Sequence, residues 1–259
     1  MEQIFLPTFV EFEDSDQPHV GRMVVSPCHQ GYGTTLGNAL RRVLLSSLPG
    51  AAVESIKIKG VQHEFSVLEG ILEDVIQIIL NVKQLAVRSF SQAPVTLGVR
   101  KKGAGDVIAA DFDKNSDIEI MNSDLKICAI TSKDTTFEME MTIGHGRGYV
   151  PVGEKETKNL DLGTIAIDSL YTPIRDVGYK VELTRVGDVT DYEKLTLTIE
   201  TNGTITPKDA IAQATKILMD HFALVLDAAG GTEDEVKGVK EENAEVENHE
   251  KKEEKSEDE

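Results

Sequence analysis

The sequence predicts an α+β fold in which amphipathic helices pack against antiparallel sheet. Helical spacing of apolar residues appears in three segments, 35–48, 66–82 and 207–228. Between Val95 and about Glu200 the pattern changes to short strand-like runs separated by turn residues. The chain has 259 residues, of which 40% are hydrophobic, so it can form one large domain or two modest ones.

The first helix is predicted to follow a short strand, Arg22–Ser26, and a glycine-rich turn. Thr34 or Thr35 can act as its N-cap, and Pro49-Gly50 ends it. Its apolar residues recur at i, i+4, i+7 and i+8, and they are Leu36, Leu40, Val43, Leu44 and Leu48.

The middle of the chain carries the second helix and the predicted strands. A possible capping box, Ser66-x-x-Glu69, precedes a wide apolar face that continues to Val82. Phe137–Ile143 alternates apolar and polar residues, which predicts a half-buried antiparallel strand. The other strand candidates are Val95–Val99, Ile118–Ile120 and Leu195–Ile199.

The third helix has the clearest signals. Thr206 is its predicted N-cap, Pro207 occupies the first turn, and Asp209 stands at the capping-box position. Gly230-Gly231 is predicted to end it. Its apolar residues form one stripe, which consists of Ile211, Ala214, Leu218, Phe222 and Val225.

Charge separates the end of the chain from the rest. Of the net charge of −18, the segment from Glu233 to Glu259 carries −8, since it holds 13 acidic and 5 basic residues. This segment has almost no large apolar residues to offset chain entropy, so we predict a disordered acidic tail over 232–259. The remaining charge of −10 is poorly suited to direct contact with DNA or RNA.

The sequence favours a cytoplasmic location without a membrane partner. No apolar run approaches the roughly 20 residues that span a bilayer, and Met1–Val10 lacks the features of a signal peptide. Cys28 and Cys128 lie far apart with no CxxC motif, which fits a reducing compartment.

No motif predicts catalysis, a cofactor or a metal. Gly31-x-Gly33-x-x-x-Gly37 precedes a helix, but its spacing fits neither the GxGxxG nor the GxxxxGK[ST] phosphate-binding pattern. A tight turn at the helix entry is the better interpretation. Gly144–Gly148 is likewise predicted to be a tight loop whose glycines need positive φ. The six histidines never take the HxxxH or HExxH spacing of metal ligands.

Two adjacent arginines, Arg41 and Arg42, lie in the middle of an otherwise apolar helix. Both can extend from a solvated face. However, the surrounding apolar residues lie almost all round the helix, which indicates burial on more than one side. Burial on two sides suggests a subunit interface, where arginine is a favoured anchor. The residues alone leave these two interpretations equally open.

Five blocks carry the strongest signal for function, and they are Gly31–Gly50, Gly60–Lys83, Gly146–Pro151, Asp168–Pro173 and Glu200–Ile205. Their sequences and their order resemble the bacterial RNA polymerase alpha subunit across about residues 1–230. Five blocks in the same order make the resemblance highly specific.

The resemblance implies a fold of two parts. A discontinuous dimerisation domain, residues 1–48 and 173–231, combines antiparallel sheet with two long helices, and a mainly β insert domain occupies 49–172. In the family, the two long helices pack against their copies to form a homodimer. The implied homodimer contacts are Leu36, Leu40, Val43, Leu44, Ile211, Ala214, Leu218, Phe222 and Val225.

The resemblance also implies two large partners, the beta and beta-prime subunits, and a non-catalytic role within a nucleotidyltransferase. The residues that match family positions for beta are Arg41, Arg42, Leu45, His63 and Glu64, within or near the 62–72 stretch. Those that match positions for beta-prime are Lys83, Ile167, Ile174 and Glu200. The catalytic metal-binding aspartates of such an enzyme belong to beta-prime.

One departure from the family and two alternatives remain. Alpha subunits usually continue into a small helical domain that binds promoter DNA, whereas this sequence ends in the acidic tail, so we expect no promoter contact. A stand-alone dimeric binding protein of the same fold is the first alternative, and co-purification with polymerase subunits would exclude it. A nucleotide-binding enzyme that uses the turn at 31–37 is the second.

Overall fold

The computed structural model describes residues 4–15, 17, 19–155, 161–187 and 189–230. The predicted disordered tail, 232–259, lies outside the described residues. In chain order the strands and helices are β1 Phe9–Asp14, β2 Val20–Cys28, α1 Tyr32–Ser46, β3 Pro49–Ile58, α2 Val75–Val82, β4 Val87–Ser89, β5 Val95–Lys102, β6 Gly105–Ile108, β7 Ile118–Ile120, β8 Lys126–Ile130, β9 Thr136–Arg147, β10 Tyr149–Val150, β11 Thr164–Ala166, β12 Ser169–Leu170, β13 Ile174–Val186, β14 Val189–Thr201 and α3 Pro207–Ala228.

The chain divides into two compact units, residues 1–214 and 215–259. The first unit contains all the strands, the helices α1 and α2, and the first turns of α3. The second contains the rest of α3 among its described residues. The division into a dimerisation domain and an insert domain, with boundaries near 48 and 172, stays a prediction.

One sheet of the first unit joins the two ends of the sequence. Its strands run antiparallel in the order β1-β2-β14-β13. Leu195, Leu197 and Ile199 alternate along β14 and are fully buried, and α1 packs against β13 and β14. This alternation is the pattern that the sequence predicted for a strand with one covered face.

A second sheet is built from the middle of the chain, with the order β5-β9-β3-β4-β7 and β11 paired to β3. Its core includes α2, whose Val75, Ile78 and Val82 are fully buried. Phe137–Ile143 lies within β9 and alternates as predicted, with the apolar side chains buried. The remaining strands of this region, among the described residues, form two small two-stranded sheets, β6-β8 and β10-β12.

The predicted α+β class is confirmed, but two predictions for the middle of the chain are wrong. The second helix begins at Val75 rather than near Ser66, because Asp74 is its N-cap and accepts a hydrogen bond from the Gln77 amide at 2.7 Å. Gly70 lies between Ser66 and Val75, and its φ of +79° is incompatible with a continuous α-helix over these residues. Gly144–Arg147 continues strand β9 instead of forming a loop, and of this glycine run only Gly148 has positive φ.

The third helix follows its prediction. The Asp209 amide donates to Thr206 Oγ1 at 3.1 Å, and the Thr206 hydroxyl donates to Asp209 Oδ2 at 2.7 Å. The helix ends at Ala228, and Gly230 follows with φ of +83°.

Candidate subunit-contact surfaces

The glycine-rich turn before α1 is closed by a carboxylate from β14. Glu193 accepts hydrogen bonds from the amides of Gly31 and Gly33, each at 2.9 Å. The predicted Thr34 or Thr35 cap is therefore wrong, since Gly31 is the N-cap and the capping oxygens come from Glu193. A helix N-terminus attracts anions, and here the chain's own carboxylate satisfies it.

The glycines of this turn allow close packing. A Cβ on Gly33 would lie 2.8 Å from Glu193 Oε2, and one on Gly37 would lie 2.7 Å from the Tyr179 ring. These contacts support a tight helix entry, and the occupied amides disfavour a nucleotide site.

The two adjacent arginines of α1 have different environments. Arg41 Nε donates to the Val177 carbonyl at 2.9 Å, which fastens the helix to β13. Arg42 is exposed, and among the described residues its guanidinium has no hydrogen-bond or ion-pair partner. Leu45 is half-buried. Arg41 is exposed as well, but its guanidinium is bound to β13, whereas among the described residues the whole guanidinium of Arg42 has no partner.

The other residues predicted to contact beta, His63 and Glu64, lie in the segment before α2. His63 and Glu64 are exposed, and His63 Nδ1 lies 3.2 Å from Ser66 Oγ. Five large apolar side chains in this region are exposed as well, and all lie within the predicted 62–72 stretch or the apolar face predicted to continue to Val82: Phe65, Val67, Leu72, Ile76 and Leu80. Ile76 and Leu80 lie one turn apart on α2 and share a face, whereas Leu72 precedes the helix.

The predicted homodimer residues of the first unit separate into core and surface. Leu40 and Leu44 are buried inside the chain, with 8% and 0% exposure. Ile211 and Ala214 are buried as well. These four residues pack within the chain and have little or no surface to offer a second copy. Of the predicted α1 residues, Leu36 is 36% exposed and Val43 is half-buried, and Tyr32, which was not predicted, is also exposed.

The second unit presents an uncovered apolar stripe on α3. Phe222 is 64% exposed and Val225 is 66% exposed, while Leu218 is half-buried. Met219 and Leu224, which were not among the predicted contacts, are exposed too. A helix face of this kind is costly in water and indicates an interaction.

The four predicted beta-prime residues occupy unlike positions. Lys83 Nζ and Asp168 Oδ2 form an ion pair at 2.9 Å. Ile167 and Ile174 are buried, with 2% and 3% exposure, so they have almost no surface to offer a partner. Glu200 is partly exposed and lies 3.9 Å from Arg175 Nη1.

Asp168 is held by three donors, one of which is the Tyr149 hydroxyl. Its Oδ1 accepts from the Val152 amide at 3.0 Å, and its Oδ2 accepts from Lys83 Nζ. The Val152 amide, followed by Lys83, lowers the pKa of the Asp168 carboxyl below its usual value. The carboxylate is therefore ionised at neutral pH.

The buried Tyr171 and the half-buried Glu54 form a second polar contact. The Tyr171 hydroxyl donates to Glu54 Oε1 at 2.6 Å, and burial followed by this bond raises the pKa of Tyr171 to about 12. These two side chains also explain the glycines of β9: a Cβ on Gly144 would lie 2.1 Å from Glu54 Oε1, and one on Gly146 would lie 2.6 Å from the Tyr171 ring.

The described residues contain no metal-binding group of three or more histidine, cysteine or acidic side chains. Within the same residues, no helix has the length and apolarity needed to cross a membrane. Cys28 and Cys128 are both free and buried, and burial raises the pKa of the Cys128 thiol to about 12.

Comparison with known proteins identifies related sequences. Residues 56–172 match the family model described as the RNA polymerase Rpb3/RpoA insert domain. Two proteins called DNA-directed RNA polymerase subunit alpha, from Clostridium botulinum strains Eklund 17B / Type B and Alaska E43 / Type E3, are each 46% identical to this chain over 234 residues. The aligned region covers 90% of this chain and 74% of each relative.

Proposed function

The chain belongs to the DNA-directed RNA polymerase alpha-subunit family, and we propose that it is a cytoplasmic, homodimeric platform on which the beta and beta-prime subunits assemble. It contributes no catalytic residue, and the nucleotidyltransferase chemistry belongs to the assembled enzyme. A two-fold dimer presents every outer surface twice. One copy of the platform therefore receives beta and the other receives beta-prime.

The single observation that carries this proposal is the environment of Arg42. It is exposed at the centre of an outward helix face and has no partner among the described residues, whereas the neighbouring Arg41 is tied to β13. A planar cation with five free donors is suited to a carboxylate or carbonyl cluster of another chain. We assign it to the beta contact, together with Leu45, His63 and Glu64.

Exposed apolar residues support the dimer. In the second unit the apolar side chains of Phe222 and Val225 on α3 are exposed to water. The same stripe on α3 of a second copy could pack against them and bury both surfaces. In the first unit Leu36 and Tyr32 on α1 are exposed as well. The buried residues Leu40, Leu44, Ile211 and Ala214 are left out of the proposed contact because they lie in the chain's own core.

The proposed beta-prime contact lies near the Lys83–Asp168 pair and includes the partly exposed Glu200. The charge of the chain apart from its end, −10, disfavours direct contact with promoter DNA. The filled helix N-terminus at Gly31 disfavours the nucleotide-binding alternative.

The test is capture of purified beta by the full chain, measured as a dissociation constant. Arg42→Ala should weaken capture by about 2–5 kcal/mol, the cost of leaving a buried charge without its partner. Arg100→Ala is a matched control, because Arg100 is an exposed arginine on β5 whose Nε lies 4.0 Å from Glu138. Equal capture by the wild type and Arg42→Ala would refute the assigned contact. Failure of the wild type to capture beta would instead favour the stand-alone binding module.

A further inference from the structure

Residues 149–155 form a segment that crosses beside β3 and β12, and we call it the strap. It consists of strand β10, Pro151, a single 3-10 turn at Val152–Glu154, and Lys155. Little of it is held by regular pairing, since β10 has only two residues paired to β12. Polar side chains supply the other attachments.

The first attachment is at Val152. Its amide donates to Asp168 Oδ1 at 3.0 Å, and the other carboxylate oxygen of Asp168 receives Lys83 Nζ at 2.9 Å. The side chains of Lys83 and Asp168 are only 29% and 33% exposed. Most of the surface of Lys83 is thus already buried within the chain. Its ammonium group is paired with Asp168, the residue that binds the strap at Val152.

The second attachment is at Lys155. Its Nζ donates to Ser169 Oγ at 2.6 Å and to the Ile167 carbonyl at 2.5 Å. Ser169 is buried and its hydroxyl donates to the Val53 carbonyl on β3 at 2.7 Å. The strap is thereby held near its middle by Asp168, and at Lys155 it is linked through Ser169 to β3 of the second sheet.

The fixed strap presents an apolar pair. Tyr149 on β10 lies opposite Leu170 on β12, and both are exposed, at 56% and 55%. Cross-strand neighbours of this kind point to the same face of the ribbon. An exposed tyrosine beside a leucine on rigid backbone is the composition expected of an interface anchor.

We propose that Lys83 serves beta-prime binding as a positioning residue, acting through Asp168 to fix the strap, and that Tyr149 and Leu170 on the strap ribbon make the contact. This inference rests on the proposed function, which supplies the occupant. The assignment to beta-prime follows from continuity, because Asp168 bonds directly to Lys83 and adjoins Ile167, two residues already assigned to that partner.

The test is a double-mutant cycle on the full chain bound to beta, with capture of beta-prime as the readout. Lys83→Ala and Asp168→Asn should each weaken capture about fivefold, and the double variant should be no weaker than either single one. Lys83→Arg, which keeps the ion pair, should restore capture. Tyr149→Ala should weaken it about thirtyfold. In both single charge variants the Val152 amide should also exchange its hydrogen faster.

Controls separate this inference from the proposed function. Capture of beta should stay unchanged in every variant, which shows that the chain is folded. Lys59→Ala removes an exposed ion pair to Glu138, also 2.9 Å long, and should leave beta-prime capture unchanged. Additive losses from Lys83→Ala and Asp168→Asn, or normal capture by Lys83→Ala or Tyr149→Ala, would overturn the inference alone. Failure of the wild-type complex to capture beta-prime would overturn the proposed function and the inference with it.

Discussion

Replacing Phe222 with alanine should strongly weaken the proposed homodimer. Phe222 is 64% exposed on α3. An aromatic side chain removes about 150–250 Å² from water when it is buried, so about 130 Å² remains for a second copy to cover. At roughly 25 cal/mol per Å² this burial contributes about 3 kcal/mol per copy, of which alanine would keep about a third.

Each dimer contains two copies, so Phe222→Ala should cost about 4 kcal/mol and raise the dimer dissociation constant about 1000-fold. Sedimentation equilibrium over a range of concentrations measures this change. Phe90→Ala is a matched control, because Phe90 is also a phenylalanine with 64% exposure but lies just after β4. An unchanged dissociation constant for Phe222→Ala, or an equal loss for Phe90→Ala, would show that α3 does not form the dimer contact.

Three further predictions concern single groups. At pH 8 the native protein should react with a thiol reagent at neither cysteine, because burial raises the pKa of the Cys28 and Cys128 thiols; rapid reaction of a native thiol would contradict this. Glu193→Ala should lower the free energy of unfolding in urea by about 1–2 kcal/mol, because two amides at the start of α1 lose their acceptor; an unchanged value would show that water replaces the carboxylate at no cost. Because the pKa of Asp168 is lowered in the fold, its stabilisation is complete above the unfolded value of about 4 and is lost as pH falls through the folded value. The difference in unfolding free energy between the wild type and Asp168→Asn should thus shrink below about pH 4, and a constant difference would contradict the assignment.

Local sequence signals predicted the elements whose causes are local. The predicted N-cap at Thr206 lies within one helical turn of Asp209, and the structure confirms it, since the Asp209 amide donates to Thr206 Oγ1. The Asp209 carboxylate accepts from the Thr206 hydroxyl. The alternation in Phe137–Ile143 needs only one covered face, and it too is confirmed. The start of α1 could not be found in this way, because its capping carboxylate, Glu193, is 160 residues from Gly33 in the sequence.

The glycines of β9 show the same limit. Gly144 and Gly146 resemble loop residues locally, but they lie in a strand that pairs with β3. They are glycines because Glu54 and Tyr171 fill the space where their side chains would be. The loop prediction relied on the ability of glycine to adopt positive φ. In β9 the glycines instead allow the side chains of Glu54 and Tyr171 to approach the backbone closely.

The candidate surfaces were predicted only in part. Apolar spacing on a helix marks every face that leaves water, and it does not distinguish the chain's own core from a contact with a partner. Leu44 and Phe222 both fit such a stripe, yet Leu44 has no exposed surface and Phe222 has most of its own. Exposure in the folded chain supplies the distinction that the pattern lacks.

The measurement that tests the platform most directly is the native mass of the full chain mixed with purified beta and beta-prime. We expect one species that contains two copies of this chain, one beta and one beta-prime, and we expect Arg42→Ala not to form this species at concentrations where the wild type does. A chain that stays monomeric, or a dimer that captures neither large subunit, would show that the chain is not an assembly platform.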